Sequence, residues 1–120
     1  MGEEIACEYL RKKNYKIIDR NYRKPWGEID IICKNKSQTL IFVEVKAMRQ
    51  NKQLEPEDNF SKFKLKKFQR VASLYAGEKK YNLGKNGWQL DLIAITFQDH
   101  LTDNYKDYQI RHWENVSDVW

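Results

Sequence analysis

The sequence predicts an α+β or α/β fold in which helices pack on a mixed central β-sheet. Three observations predict it. A helical stripe opens the chain, two short apolar runs with alternating acids occupy Glu28 to Lys46, and a basic amphipathic stretch separates these from two later strand-like runs. The resulting order is α-β-β-β-α-β-β. Its 120 residues contain no internal repeat, low-complexity tract or linker, so one domain spanning 1–120 is expected.

Residues 3–13 carry Ile5, Ala6, Tyr9 and Leu10 at i, i+1, i+4 and i+5. Glu3 and Glu4 fall in the first turn of this helix, where the macrodipole favours acid. Asn14 serves as the helix stop. Tyr15 to Tyr22 alternates loosely around Ile17 and Ile18 and reads as the first strand. In Lys24-Pro25-Trp26-Gly27 the proline fixes φ and the glycine permits a sharp reversal, so this is a turn. The second strand is Glu28 to Lys34 and the third Thr39 to Lys46, joined by Asn35-Lys36-Ser37-Gln38.

Residues 47–60 show no period and include Pro56, which predicts a loop. A helical pattern returns from Ser61, a reasonable N-cap, to about Ala76. Its apolar positions are Phe60, Phe63, Leu65, Phe68, Val71, Ala72 and Tyr75. Lys62, Lys66, Lys67 and Arg70 occupy the opposite face, with Lys64 close by. Gly77 and the 84–87 region are expected as loop. Trp88 to Phe97 and Tyr108 to Glu114 are the last strands, with Asp99 to Asp107 between them.

Composition excludes several classes. Hydrophobic residues make up 41% and charged residues 32%, a globular balance without the signature of disorder. No apolar run reaches the length of a membrane span, and the N-terminus is a charged helix pattern, not a signal peptide. No membrane association is expected, and the cytoplasm is the default location. Cys7 and Cys33 lack CxxC spacing and are expected as reduced core thiols. A net charge of +5, with a pI near 9.1, suits a nucleic-acid partner without requiring one.

The chemistry lies in Glu28 to Lys46. A turn centred near Ser37 sets Asp30 opposite Glu44 and Glu28 opposite Lys46, all on one face. Ile29, Ile31, Val43 and Val45 then fill the other face. Facing carboxylates repel unless a cation lies between them or one is protonated. A hard divalent ion such as Mg2+ resolves the conflict with one or two carboxylates plus water and phosphate. A lysine on the same face can orient an attacking water or stabilise phosphoryl charge. The plain alternative is a cross-strand salt-bridge cluster of Glu28 with Lys46.

This succession resembles the PD-(D/E)XK nuclease superfamily, whose core runs α-β-β-β-α-β with one acid on a strand and (D/E)xK on the next. It is more closely similar to the YraN-like family of small bacterial proteins, related in fold to Holliday-junction resolvases. That family's E-x-x-A-x-x-x-L matches Glu3, Ala6 and Leu10. Its R-N-x-R and G-E-I-D match Arg20 to Arg23 and Gly27 to Asp30, and its F-V-E-V-K matches Phe42 to Lys46. A later helix with K and A-x-x-Y matches Lys64, Ala72 and Tyr75. The chain departs from the family where K-x-R reads Lys46-Ala47-Met48-Arg49 and where R-F-D reads Gln89-Leu90-Asp91.

The resemblance implies a restriction-endonuclease-like core and a Mg2+- or Mn2+-dependent endonuclease acting on DNA, with branched or structured substrates and a homodimer. Asp30 and Glu44 would be metal ligands, Lys46 the catalytic lysine, and Glu3 an accessory acid. Glu28 lies on the same face and is a further candidate for the catalytic set, though it could serve only to pair with Lys46. Lys62, Lys64, Lys66, Lys67, Arg70 and Arg49 would contact the DNA backbone. Asp91 is read as structural and Gln69 as a surface residue. His100 and His112 have no ligand role, and the aromatics near Trp113 and Trp120 are interface candidates. A nucleic-acid-binding module without catalysis and a structural or interaction protein stand as alternatives.

Overall fold

The computed structural model describes residues 2–49, 62–78, 87–97 and 108–116. The elements in chain order are α1 (Gly2–Lys12), β1 (Lys16–Lys24), β2 (Gly27–Lys34), β3 (Leu40–Arg49), α2 (Lys62–Glu78), β4 (Trp88–Phe97) and β5 (Tyr108–Trp113). The strands form one sheet in the order β1-β2-β3-β4-β5. Every step is antiparallel except β3–β4. That step is also the one with α2 between its strands, since a parallel pair needs a long crossover to bring the chain back to the same end. The mixed sheet flanked by two helices is the architecture the sequence predicts.

Short-range chemistry sets the joints. α1 ends in a Schellman motif. The Tyr15 N–H donates to the Leu10 carbonyl at 2.9 Å and the Asn14 N–H to the Arg11 carbonyl at 2.9 Å. Asn14 itself sits at φ 69°, a left-handed conformation that asparagine tolerates. Between β2 and β3, Asn35 Oδ1 accepts the Ser37 N–H at 2.9 Å and the Thr39 N–H at 3.0 Å. This Asx turn fixes the register Ile31–Val43, Ile32–Phe42, Cys33–Ile41 and Lys34–Leu40, the one expected for a turn near Ser37.

Each face of the sheet has its own core. On one side Ala6, Cys7 and Leu10 of α1 cover Ile31, Cys33, Ile41, Val43, Ile93 and Ile95. On the other, Phe68, Val71, Ala72 and Tyr75 of α2 cover Ile29, Ile32, Phe42, Leu90 and Leu92. β3 and β4 are therefore apolar almost continuously, as strands buried on both faces must be. Tyr75 meets Tyr22 and Phe42 edge-on, with ring centroids 5.0 and 5.8 Å apart. Both cysteines are buried and free, as expected.

In its elements the structure departs from the sequence reading in three places. β3 continues through Ala47 and Met48 to Arg49, because β4 pairs with it as far as Arg49–Phe97. A hydrogen-bonded neighbour distant in sequence thus extends a strand whose own residues carry no strand signal. Gly77 lies inside α2, which runs to Glu78. Ile29 and Ile31, expected on one face, join opposite cores. Between Tyr22–Ile29 and Arg20–Ile31 the Asn21–Asp30 step is unpaired and Asn21 adopts φ 52°, so both strands turn over there. Trp113 packs partly buried against the α2-side core. The 50–60 loop, Ser61, residues 84–86, Asp99 to Asp107 with His100, and Trp120 lie outside the described residues.

Gly27 opens β2 at φ 146°, and a Cβ built there would lie 2.4 Å from Val71 Cγ2. Gly27→Ala should therefore cost about 2–4 kcal/mol through backbone strain and overpacking. Urea denaturation measures the loss, and combining it with Val71→Ala should recover the steric part only.

Candidate active site

β2 and β3 are paired only as far as Ile31–Val43. Beyond that step Gly27–Asp30 runs with β1, and Glu44–Arg49 runs with β4. The sheet forks. Asp30 stands at the fork, and its Oδ2 accepts the Val45 N–H at 2.8 Å. A side chain thereby replaces the carbonyl that a continuing ladder would supply. This contact sets the Asp30 carboxylate against the Glu44–Val45 backbone. Glu44 and Lys46, two residues apart, share the face of β3 that also holds Phe42 and Met48. Val45 turns the other way, into the α1-side core. Lys46 is exposed.

The electrostatics at the fork are acidic. Burial is the largest influence on Asp30 and raises its carboxyl pKa; the Val45 N–H opposes it, the charges of Glu3 and Glu28 add to it, and Arg23 subtracts. Glu3 acts on Asp30 because the start of α1 lies over the end of β3. A Cβ at Gly2 would touch Ala47 Cβ at 3.3 Å and Val45 Cγ1 at 3.7 Å. Its neighbour Glu4 bonds Arg20 at 2.7 Å, and that guanidinium holds the Glu4 carboxyl below its usual range. Glu3, Glu28 and Asp30 thus share one field from three different elements.

Glu28 does not take Lys46 as its cross-strand partner. It forms an ion pair with Arg23, its neighbour on β1. The fork is the reason, since opposition to Lys46 requires the ladder to continue. Lys66, Lys67 and Arg70 are exposed on α2, and Gln69 is half-buried. The side chains of Arg49, Lys62 and Lys64 lie outside the described part. Among the described residues no three His, Cys, Asp or Glu side chains form a ready-made metal cage.

Sequence reasoning missed a second polar cluster. Asp91 is fully buried. Its Oδ1 accepts Gln89 Nε2 at 2.9 Å and the Asn115 N–H at 3.0 Å, and its Oδ2 lies 2.7 Å from His112 Nε2. Tyr9 Oη stands 3.1 Å from His112 Nδ1, and Lys13 donates to that hydroxyl at 3.1 Å. Asp91 is structural, as expected, but His112 is its partner and not an isolated residue. The one sequence signal is a carboxylate inside the apolar run Leu90 to Ile95, since such a charge needs partners. The identity of the partner depends on β4–β5 pairing and cannot be read locally.

A mixed five-stranded sheet with a helix on each face and an acidic fork between its second and third strands is consistent with a restriction-endonuclease-like core. The chain belongs to the uncharacterised protein family UPF0102, whose family model matches residues 2–95. This is the YraN-like family that the motifs resemble. Its relatives carry only the name UPF0102 protein. One from Syntrophomonas wolfei is 42% identical over 74 residues, covering 62% of this chain and 64% of that protein. One from Fervidobacterium nodosum is 34% identical over 116 residues, covering 97% and 78%. One from Campylobacter lari is 36% identical over 116 residues, covering 97% and 89%.

Two outcomes follow from these networks. His112→Ala leaves the Asp91 carboxylate buried without its histidine and should lose about 3 kcal/mol in urea unfolding. Asp30→Asn should raise the melting temperature at pH 7. The raised carboxyl binds its proton more tightly folded than unfolded, so its contribution is favourable below the unfolded pKa and is lost as pH rises through the folded pKa. The advantage of the asparagine variant should shrink on acidification, and a melting series across pH measures it.

Proposed function

We propose that this protein is a metal-dependent endonuclease that hydrolyses DNA phosphodiester bonds at the β2–β3 fork. The observation that carries the reading is Asp30, a partly buried carboxylate held to the Val45 N–H and pushed towards its neutral form by burial and by Glu3 and Glu28. Excess negative charge of this kind fits a hard divalent cation. Asp30 and Glu44 would hold Mg2+ or Mn2+, which commonly takes one or two protein carboxylates and fills its other positions with water and phosphate oxygens. When bound, the ion supplies Lewis acidity at the phosphoryl oxygen.

The chain's own residues do the rest. Lys46 reaches into solvent from β3 and stabilises charge that develops on the phosphate, or orients the attacking water. Glu3 is the accessory acid. Glu28, bonded to Arg23, adds to the field without serving Lys46. Lys66, Lys67 and Arg70 would contact the DNA backbone without reading sequence, as would Lys62, Lys64 and Arg49. The resemblance to resolvases extends the reading to branched DNA and to a homodimer.

A second reading is a nucleic-acid-binding module of the same fold without catalysis, in which Lys66, Lys67 and Arg70, exposed on α2, hold the backbone. One assay separates the two. Supercoiled, linear and four-way-junction DNA are incubated with Mg2+ or Mn2+ and then with EDTA. The enzyme reading expects metal-dependent cutting that falls at least about a hundredfold in Asp30→Ala, Glu44→Ala and Lys46→Ala. Salt-sensitive binding with no cutting under any metal leaves the module.

A further inference from the structure

We infer that the β1–β2 turn carries a stacking platform for an unpaired nucleic-acid base, with Trp26 as its ring. The inference deepens the reading of the fork as a DNA site, by naming unpaired or displaced bases as the feature recognised beside it. Trp26 and Leu74 are the large apolar side chains most exposed among the described residues, each at 41%. An indole left open on a two-residue turn contributes nothing to either core. The turn that bears it is nevertheless held in place.

Two contacts set the turn against α2. Gly27, next in the chain, lies against Val71 so closely that no Cβ fits between them. Tyr22, at the other end of the turn, donates its hydroxyl to Glu78 at 3.2 Å. On α2, Val71, Leu74 and Glu78 stand at i, i+3 and i+7, one side of the helix. Leu74 therefore lies between the two points where the Trp26 neighbourhood meets α2. The two exposed apolar groups thus lie on the same side of the protein, where the β1–β2 turn meets α2.

Charge decides what covers it. Lys24 adjoins the turn, with its Nζ 5.7 Å from the Tyr22 ring centroid. Arg70 and Lys67 are exposed on α2 beside Val71 and Leu74. An exposed aromatic ring with Lys24, Lys67 and Arg70 nearby takes a base on its face and the adjoining phosphates on its edge. In a closed duplex the faces of the bases are already stacked, so the ring can serve only where a base is free. Trp26 is four residues from Asp30 along extended chain, about 13 Å at strand rise. That span is a few nucleotides. A base stacked on Trp26 would thus lie on the strand entering the fork.

The test reads binding, with cleavage blocked by EDTA. Fluorescence anisotropy is measured with labelled oligodeoxythymidine, a four-way junction and a blunt duplex, using wild type, Trp26→Ala and Trp26→Phe. Trp26→Ala should weaken oligodeoxythymidine and junction about tenfold and leave the duplex unchanged. Trp26→Phe should restore most of that loss, and circular dichroism should show both variants folded. Equal weakening on all three ligands, no weakening on any, or no binding of oligodeoxythymidine at low salt would each overturn the inference. So would loss of concentration-dependent self-association in Trp26→Ala with DNA binding intact, which would make the patch a contact between copies. Failure of wild-type protein to cut DNA with Mg2+ or Mn2+ would count against the nuclease reading alone, because stacking is read without catalysis.

Discussion

The hydrogen bond from the Val45 N–H to Asp30 Oδ2 is the contact on which the candidate site depends. A sheet that kept β2 paired to β3 along their full length would leave no opening between them. Separating the two backbones exposes amide groups that need partners, and a half-buried unsatisfied N–H is costly. Asp30 meets that need from β2 while its backbone stays with β1. The same residue therefore lets the sheet fork and is held at the fork, with its carboxylate drawn out of water. The left-handed Asn21 on β1 lies beside this step and turns the hairpin over, so that Ile29 and Ile31 can serve different cores.

The remainder of the fold supports that opening. α1 carries Glu3 over the end of β3 in its first turn, and in its last turns ties itself to β4 and β5 through Tyr9, His112 and Asp91. The acidic field and the buried staple thus occupy opposite ends of one short helix. α2 covers the other face and presses Val71 onto Gly27, which fixes how the β1–β2 turn leaves the sheet. At the fork itself Glu28 turns to Arg23, while Asp30 stays bonded to the Val45 N–H.

Much of this was legible in the chain. The helical stripe of Ile5 to Leu10, the Asn35 turn and the uninterrupted apolar runs at Ile41 to Val45 and Leu90 to Ile95 specify elements, register near the turn and a mixed sheet, because period, turn chemistry and hydrophobicity act over short range. The acids and lysine of Glu28 to Lys46 marked the site by the same logic, since charges on a buried hairpin demand an explanation.

Tertiary structure decided where that logic stops. A hairpin read from sequence runs on past Ile31–Val43 to set Glu28 against Lys46. In the folded chain β2 and β3 part beyond Ile31–Val43, and Glu28 meets Arg23 across the β1–β2 pair. The extra length of β3, the partnership of His112 with Asp91 and the seating of the β1–β2 turn on α2 likewise depend on neighbours brought from far along the chain. Local sequence sets which residues can be strand, helix or turn. Pairing between distant segments decides which of their charges meet.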